Sequence, residues 1–345
     1  MNIDNHYYTI KVLVRRAGFS PEESELIAYA SQYVDDATLH KRMTLVNSEN
    51  LIKYKRFENG VFDPICSAHS GVEMAEALGE KTQKKVYVSF HFIPEKEGKL
   101  NPETKEIEYS SYLTKEDGEL ANKLLNIAIE EYKEAVKSEE KVQKLIKIGI
   151  ALHSYADTYS HQGFSGIENS DDNDIGNIKV NGNRINLLKT LGLNILPDIG
   201  HLEAWHYPDN SHIKWSYEYA NEALHKNDKI NRDNCEIFLR GFKKIYKLLS
   251  EIKGIYSEDN WNALRPELEK CLKTKDGKRA VYSKQFPDIS FNYDKDKWFN
   301  EALSIVPVTA NEDFYNRKYK CLKDMKWFYF HYEAYEQRKF IIGEI

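Results

Sequence analysis

Apolar residues recur at helical spacing over residues 6–18 (HYYTIKVLVRRAG), and the run stops at Gly18, a residue that suits a helix end. Ser20-Pro21-Glu22-Glu23 opens a second helix. Serine caps it, proline fits its first turn, and Glu23 completes a capping box. That helix carries LIAYASQYVDD to about Asp36. Residues 45–110 read as irregular apart from VYVSFHF (86–92), whose β-branched and aromatic run predicts a strand before Pro94. Two long helical patterns follow, over about 114–137 and about 139–162, the second closed by Gly163. Residues 165–212 are rich in Asn, Asp and Gly and predict a long polar loop, a feature that tends to be functional or disordered. Helices are predicted again over 213–227, 232–252 and 258–274, and through the aromatic stretch 296–340. The expected fold is mainly α, a multi-helix bundle with long loops and at most a small β element. A metal-binding helical catalytic domain over 1–252 with a packed helical extension over 253–345 is the expected organisation; no Pro/Gly/Ser linker separates the two, so one continuous domain fits as well.

Composition narrows the class of function. With 345 residues, 41% hydrophobic and 30% charged, the chain is long enough for a full-sized core. A net charge of −5 does not imply a basic face for duplex nucleic acid. No apolar run approaches the ~20 residues that span a bilayer. MNIDNHYYTI lacks the charged and apolar regions of a secretory signal. Cys66, Cys235, Cys271 and Cys321 are dispersed without a C-x-x-C pair, which predicts free thiols and a cytoplasmic location.

The chemistry concentrates in LHSYADTYSHQGF (152–164). His153, Asp157 and His161 stand at i, i+4 and i+8, so on a helix they form one row with ~6 Å between neighbours. The two imidazoles are then ~12 Å apart, too far to share one ion at Zn–N distances of ~2.0–2.1 Å. Asp157, between them with two oxygens, is placed to bridge, so the row predicts a site for more than one metal. Other candidates are scattered along the chain: His6 and Asp4 at the first helix, Asp35 and Asp36 closing the second, His91 in FHFIP, His69 in CSAHSG, and His201, Glu203, His206 and Asp209 in GHLEAWHYPD. Each has a plainer reading when taken alone, as a solvated helix end or a hydrogen-bonded core histidine.

Together these segments resemble the zinc-dependent phospholipase C and single-strand nuclease superfamily. NHYYTIKVLVRRAGFSPEESELIAYASQYVDDA, VSFHFIP, ALHSYADTYSHQGF and GHLEAWHYPD look like an uncharacterised bacterial family of that general type, over roughly residues 1–250. The resemblance implies a helical bundle of the phospholipase C type with two or three zinc ions. It implies Asp35, His91, His153 and Asp157 on one ion, His6 and Asp157 on a second, and His161 and His201 on a third. Three departures stand out. The superfamily's N-terminal Trp, whose amine binds zinc, is absent, with Asp4 as a substitute. The carboxylate expected four residues after His201 is replaced by Trp205, so that Glu203, His206, Asp209 or His69 must serve. The spacing from Asp157 to the next His is also shorter than in the phospholipases.

The resulting expectation is a zinc-dependent hydrolase, a phosphoesterase acting on a lipid, nucleotide or nucleic acid through a metal-activated water, with Asp35, Asp36 and Asp157 as catalytic carboxylates. A metal hydrolase of amides or carboxylic esters and a zinc-stabilised binding module are the alternatives. His/Asp ligation without Cys speaks against a purely structural zinc. No G-x-S-x-G, P-loop, G-x-G-x-x-G or H-E-x-x-H occurs.

Overall fold

Ser20 caps its helix as the local sequence requires: its Oγ accepts from the Glu23 backbone N–H at 3.1 Å, and Glu23 Oε2 accepts from the Ser20 N–H at 2.8 Å. The computed structural model describes residues 1–46, 57–58, 60–69, 79–185, 198–220, 229–306, 318–322 and 324–343. In chain order its helices are α1 (Ile10–Arg16), α2 (Pro21–Asp36), α3 (Glu80–Gln83), α4 (Glu119–Glu134), α5 (Ser138–Ser160), α6 (Ser170–Asn173), α7 (Asn234–Ile252), α8 (Glu258–Leu272), α9 (Lys278–Gln285), α10 (Lys297–Ala302) and α11 (Lys326–Ile342). Two π-helical segments join them, Asp4–Thr9 running into α1 and Lys84–His91 running out of α3.

The strands overturn the expectation of a mainly α bundle; the protein is mixed α and β. They are β1 (Met43–Val46), β2 (Phe57–Glu58), β3 (Val61–Phe62), β4 (Lys99–Leu100), β5 (Ile107–Glu108), β6 (Ile175–Val180), β7 (Asn183–Arg184), β8 (Lys214–Tyr219), β9 (Lys229–Asp233), β10 (Leu303–Ile305) and β11 (Lys318–Cys321). Among the described residues they form a five-stranded sheet in the order β10-β11-β1-β3-β2, a two-stranded β4-β5 ribbon, and a four-stranded antiparallel sheet β7-β6-β8-β9. In the first sheet β1 pairs parallel with β11, Thr44 opposite Lys318, so strands distant in sequence meet. Such pairing needs partners that a one-dimensional pattern does not reveal.

Four local expectations change with it. VYVSFHF is a π-helical turn instead of a strand: Val86, Val88, Ser89, Phe90 and His91 are all buried, between α5 and α11, and burial on every side overrides β propensity. KWSYEY (214–219) is a strand where a helix was expected; Trp215 and Tyr217 enter a second core with Phe92 and Phe164, and Tyr219 packs against it. The rest of that predicted helix, 221–227, lies outside the described residues. Within 296–340, α10 gives way to β10, and a helix resumes only at α11; 307–317 lie outside the described residues. The stretch expected to be a polar loop contains α6, β6 and β7, with 186–197 outside the described residues.

The main core joins both ends of the chain. Tyr29 of α2 stacks on Trp298 at 4.1 Å, and Trp327 Nε1 donates to Tyr33 Oη at 2.9 Å. At its centre α5 crosses α2 closely. A Cβ at Gly149 would come within 2.4 Å of the Ile27 carbonyl oxygen, so only glycine permits this approach. The crossing brings Ser31 of α2 against His153 of α5. Among the described residues no helix is long and apolar enough to cross a membrane. The four cysteines are buried and form no disulfide.

Candidate metal centre

His153 and Asp157 point inward from α5, and His161 follows as its C-cap residue; His153 and Asp157 are fully buried and His161 is 4% exposed. Around them the fold gathers His6 and His91 from the two π-helical turns, Asp35 from the end of α2, and His201 and Asp209 from the segment 198–213. Each π turn carries a hydroxyl bonded five residues back, Thr9 Oγ1 to the Asp4 carbonyl at 2.9 Å and Ser89 Oγ to the Lys84 carbonyl at 2.8 Å. The extra residue per turn re-aims the neighbouring imidazole, a use of π geometry common at functional sites.

The residues form three groups, each able to hold a metal ion: His6, His153 and Asp157; Asp35, His91 and His153; His161, His201 and Asp209. Asp157 faces two ways. Its Oδ1 lies 3.0 Å from His6 Nε2, while its Oδ2 lies 3.1 Å from His91 Nδ1 and 3.2 Å from His153 Nε2. Asp35 Oδ1 closes the second group at 3.9 Å from His91 Nδ1 and 3.7 Å from His153 Nε2. Asp209 spans the third, 3.1 Å from His161 Nε2 and 3.5 Å from His201 Nε2.

Hydrogen bonding sets which nitrogens are lone pairs. His91 Nε2 donates to the Ser67 carbonyl, His153 Nδ1 to that of Ser31, His161 Nδ1 to that of His91, and His201 Nδ1 to that of Trp205, each at 2.8 Å. A carbonyl only accepts, so each neutral ring turns a bare lone pair toward the centre. His91 Nδ1 and His153 Nε2 then face one another at 3.1 Å with the Asp157 carboxylate beside both. Two bare acceptors at that separation repel, and either a proton or a metal ion between them relieves it. Burial lowers the His91 pKa, but Asp157 and Asp35 outweigh that and raise it, so in the metal-free protein a proton fills this place. Two nitrogens at tetrahedral angles on zinc are ~3.3 Å apart, given Zn–N of ~2.0–2.1 Å. The donor set therefore fits a metal ion.

A backbone group completes the cluster. The Met1 α-amine lies 2.7 Å from Asp157 Oδ1 and 3.2 Å from Asp209 Oδ1. The sequence reading put the Asp4 carboxylate in place of an N-terminal amine because the Trp of the resemblance is absent; the group beside Asp157 is nonetheless the amine of Met1, and Asp4 bonds Lys278 and Ser211 instead. Burial lowers its pKa, but Asp157, Asp209 and Asp35 outweigh that and push it up to about 11. Burial also works against the Asp157 and Asp209 carboxylates. For Asp157 the surrounding His161, amine, His153 and His6 win; for Asp209 the amine, His201 and His161 win; both carboxyls are held well below the usual range. Burial lowers His201 to about 4 and holds His6 well below its ordinary value, which favours the neutral, metal-binding imidazoles. In metal-free protein the amine's folded pKa exceeds its ordinary 8.0, so its contribution is present below pH 8 and is lost as pH rises through about 11. Urea melts of the metal-free chain are expected to show stability falling by up to ~4 kcal/mol across that window, at 1.36 kcal/mol per unit. A flat profile there contradicts the buried ammonium–carboxylate pairing.

The other candidates lie elsewhere. Asp36 accepts from Tyr293 Oη at 2.7 Å and from Gln32 Nε2 at 3.2 Å. Asp4 is bonded to Lys278 and Ser211. Glu203 Oε2 accepts from the Ile175 N–H at 2.8 Å, His206 is exposed, and His69 packs near the Tyr87 ring. None of these five enters the three groups. Trp205, where the resemblance implied a carboxylate, contributes its carbonyl instead. Its φ of +53° is strained for a residue with a side chain and turns that oxygen to His201. Phe92 stacks on the His161 ring at 4.5 Å, over Gly200, where a Cβ would strike it at 2.4 Å.

The family of unknown function DUF6765 matches residues 1–345. The chain belongs to that family. No curated protein and no solved structure matches it.

Proposed function

We propose that the protein is a zinc-dependent hydrolase of phosphate esters. The observation that carries the reading is the convergence of committed lone pairs, above all His91 Nδ1 and His153 Nε2 at 3.1 Å beside Asp157. The side chains of the three groups are all His or Asp, with no Cys among them, which suits catalytic zinc better than structural zinc. Asp157 turns Oδ1 toward His6 and Oδ2 toward His91 and His153, so two ions held there would lie side by side and concentrate positive charge, which suits a phosphoryl group. Bound zinc supplies Lewis acidity and acidifies water toward pH 7.

The chain's own residues do the rest. His6, His153 and Asp157 form a floor closed to solvent, while the side chains of Asp35 (29% exposed), Asp209 (17%) and His201 (16%) form the open edge. Asp35, its carboxyl raised by burial against the opposing pull of His153 and His91, stands at that edge, placed to orient or take a proton from an entering nucleophile. Tyr293, by engaging Asp36, leaves Asp35 as the carboxylate of YVDD that faces the histidines.

The deciding experiment is a turnover panel on the zinc-loaded protein: phosphomonoesters, phosphodiesters, phospholipids and single-stranded nucleic acid, with amides and carboxylic esters alongside. Chelator-sensitive cleavage of at least one phosphate ester is expected. Cleavage confined to amides or carboxylic esters replaces the phosphoesterase reading with the alternative hydrolase. Tightly bound zinc without turnover of any of them leaves a binding module.

A further inference from the structure

The C-terminal third of the chain reaches the N-terminus through Lys278, at the start of α9. Its Nζ donates to Asp4 Oδ2 and, at 3.1 Å, to Ser211 Oγ, which itself lies 3.1 Å from Asp4 Oδ2 and 2.8 Å from the Leu272 carbonyl oxygen. The Asp4 side chain is 3% exposed and that of Lys278 14%, so the pair is desolvated and removal of one charge strands the other. Asp4 sits between Met1 and His6, and Ser211 lies two residues beyond Asp209. Two further bonds join the same segments: Asn2 Nδ2 donates to Asn210 Oδ1 at 2.8 Å, and Asn5 Nδ2 to the Asp209 carbonyl at 3.4 Å.

We infer that Lys278 and Asp4 are positioning residues of the metal centre. Their clamp on Ser211 fastens the N-terminal turn to residues 209–211 and so fixes the spacing of the Met1 amine, Asp157 and Asp209. Residues 205–213 carry no helix or strand; Asn234 Nδ2 holds them to α7 through the carbonyls of Tyr207, Pro208 and Asn210, and the bonds to Asp4, Lys278, Asn2 and Asn5 are the ones that hold them to the N-terminal turn. The inference rests on reading the centre as a zinc site, and it gives the region beyond residue 252 a part in assembling that site. The Asp35–His91–His153 group is built from α2, α5 and the second π turn, and does not depend on the clamp.

Two measurements on residues 1–345, expressed with Met1 as the first residue, test this. In the metal-free state, labelling of the α-amine by an amine-reactive reagent is expected to be slow in the wild type and at least ~10-fold faster in Lys278→Met and Asp4→Asn, because the protecting arrangement opens. Zinc counted by mass spectrometry and located by anomalous scattering is expected to drop at the His161–His201–Asp209 group in both variants and to persist at Asp35–His91–His153. Lys278→Arg restores both readouts. Ser211→Ala, which keeps both charges, gives a smaller change in the same direction and serves where the charge variants do not fold. Unchanged amine labelling and unchanged zinc in Lys278→Met, or in Ser211→Ala where that variant alone folds, overturn the inference while leaving the centre intact. A wild type that binds less than one zinc overturns the reading of the centre itself, and the positioning role with it.

Discussion

Asp157→Asn is expected to strip zinc from the centre and to abolish turnover. Asparagine keeps the size of the side chain and removes its charge. The carboxylate is fully buried and faces His6, His91, His153 and the Met1 ammonium at 2.7–3.2 Å. Removing one partner of a buried charge cluster costs ~3–5 kcal/mol, which corresponds to roughly 10²–10⁴ in zinc affinity. Both oxygens are engaged by different groups, so at least one ion is lost outright, and metal-free protein is destabilised as well because the ammonium loses its main counter-charge. Titration with zinc under chelator-buffered conditions, beside urea melts of the metal-free form, measures the two effects separately. A variant that retains the wild-type zinc count and turnover rules out a bridging role for Asp157.

Removing the metal from the wild type is expected to lower its melting temperature by about 6 °C for each ion lost. Zinc at 1,000 times its Kd stabilises the folded chain by ~4.1 kcal/mol per site. Unfolding entropy of ~2.1 cal/mol/K per residue over 345 residues makes about 0.7 kcal/mol/K, which converts one term into the other. Three ions therefore correspond to a drop of somewhat under ~20 °C, and two to ~12 °C. Calorimetry with and without chelator, followed by zinc addition-back, tests this. A melting temperature unmoved by chelation shows that no tightly held ion contributes to the fold. The metal-free chain keeps its main core, which extends from Met1 to Ile342, so it is expected to stay folded at room temperature.

How much of this was legible beforehand differs between fold and site. The helix cap at Ser20–Glu23 was readable because all its bonds lie within four residues. α4 was readable because its buried residues follow a single helical period; α5, buried on all sides from Ile148 onward, was readable from its length and its Lys, Ile, Leu and Ala content. KWSYEY also carried its signal, the alternation of Trp215, Tyr217 and Tyr219, but the helix-forming ANEALH beside it masked the change of period. VYVSFHF carried a misleading one: β-branched residues predict a strand, and only the neighbours on every side make a π-helical turn the better burial. The parallel pairing of β1 with β11 joins residues more than 270 positions apart and leaves no local trace.

In the site, residue type determined much. His6, Asp35, His91, His153, Asp157, His161 and His201 were nameable because imidazole and carboxylate pairs at helical spacing have few chemical uses, and the fold brings all seven together. Asp209 was one name among several, and Asp4 and Asp36 were equally eligible carboxylates. Which acid faces a histidine and which faces Lys278 or Tyr293 depends on what packs opposite it. Tertiary structure alone decided that selection, and it also brought in the Met1 amine and the Ser31, Ser67 and Trp205 carbonyls. The carbonyls are common to every residue and the α-amine belongs to whichever residue stands first, so composition and spacing cannot mark them. The sequence by itself determined which donors were on offer; the close crossing at Gly149, the two π turns and the meeting of chain end with residues 209–211 determined which of them converge, because convergence is a property of distances through space and not of positions along the chain.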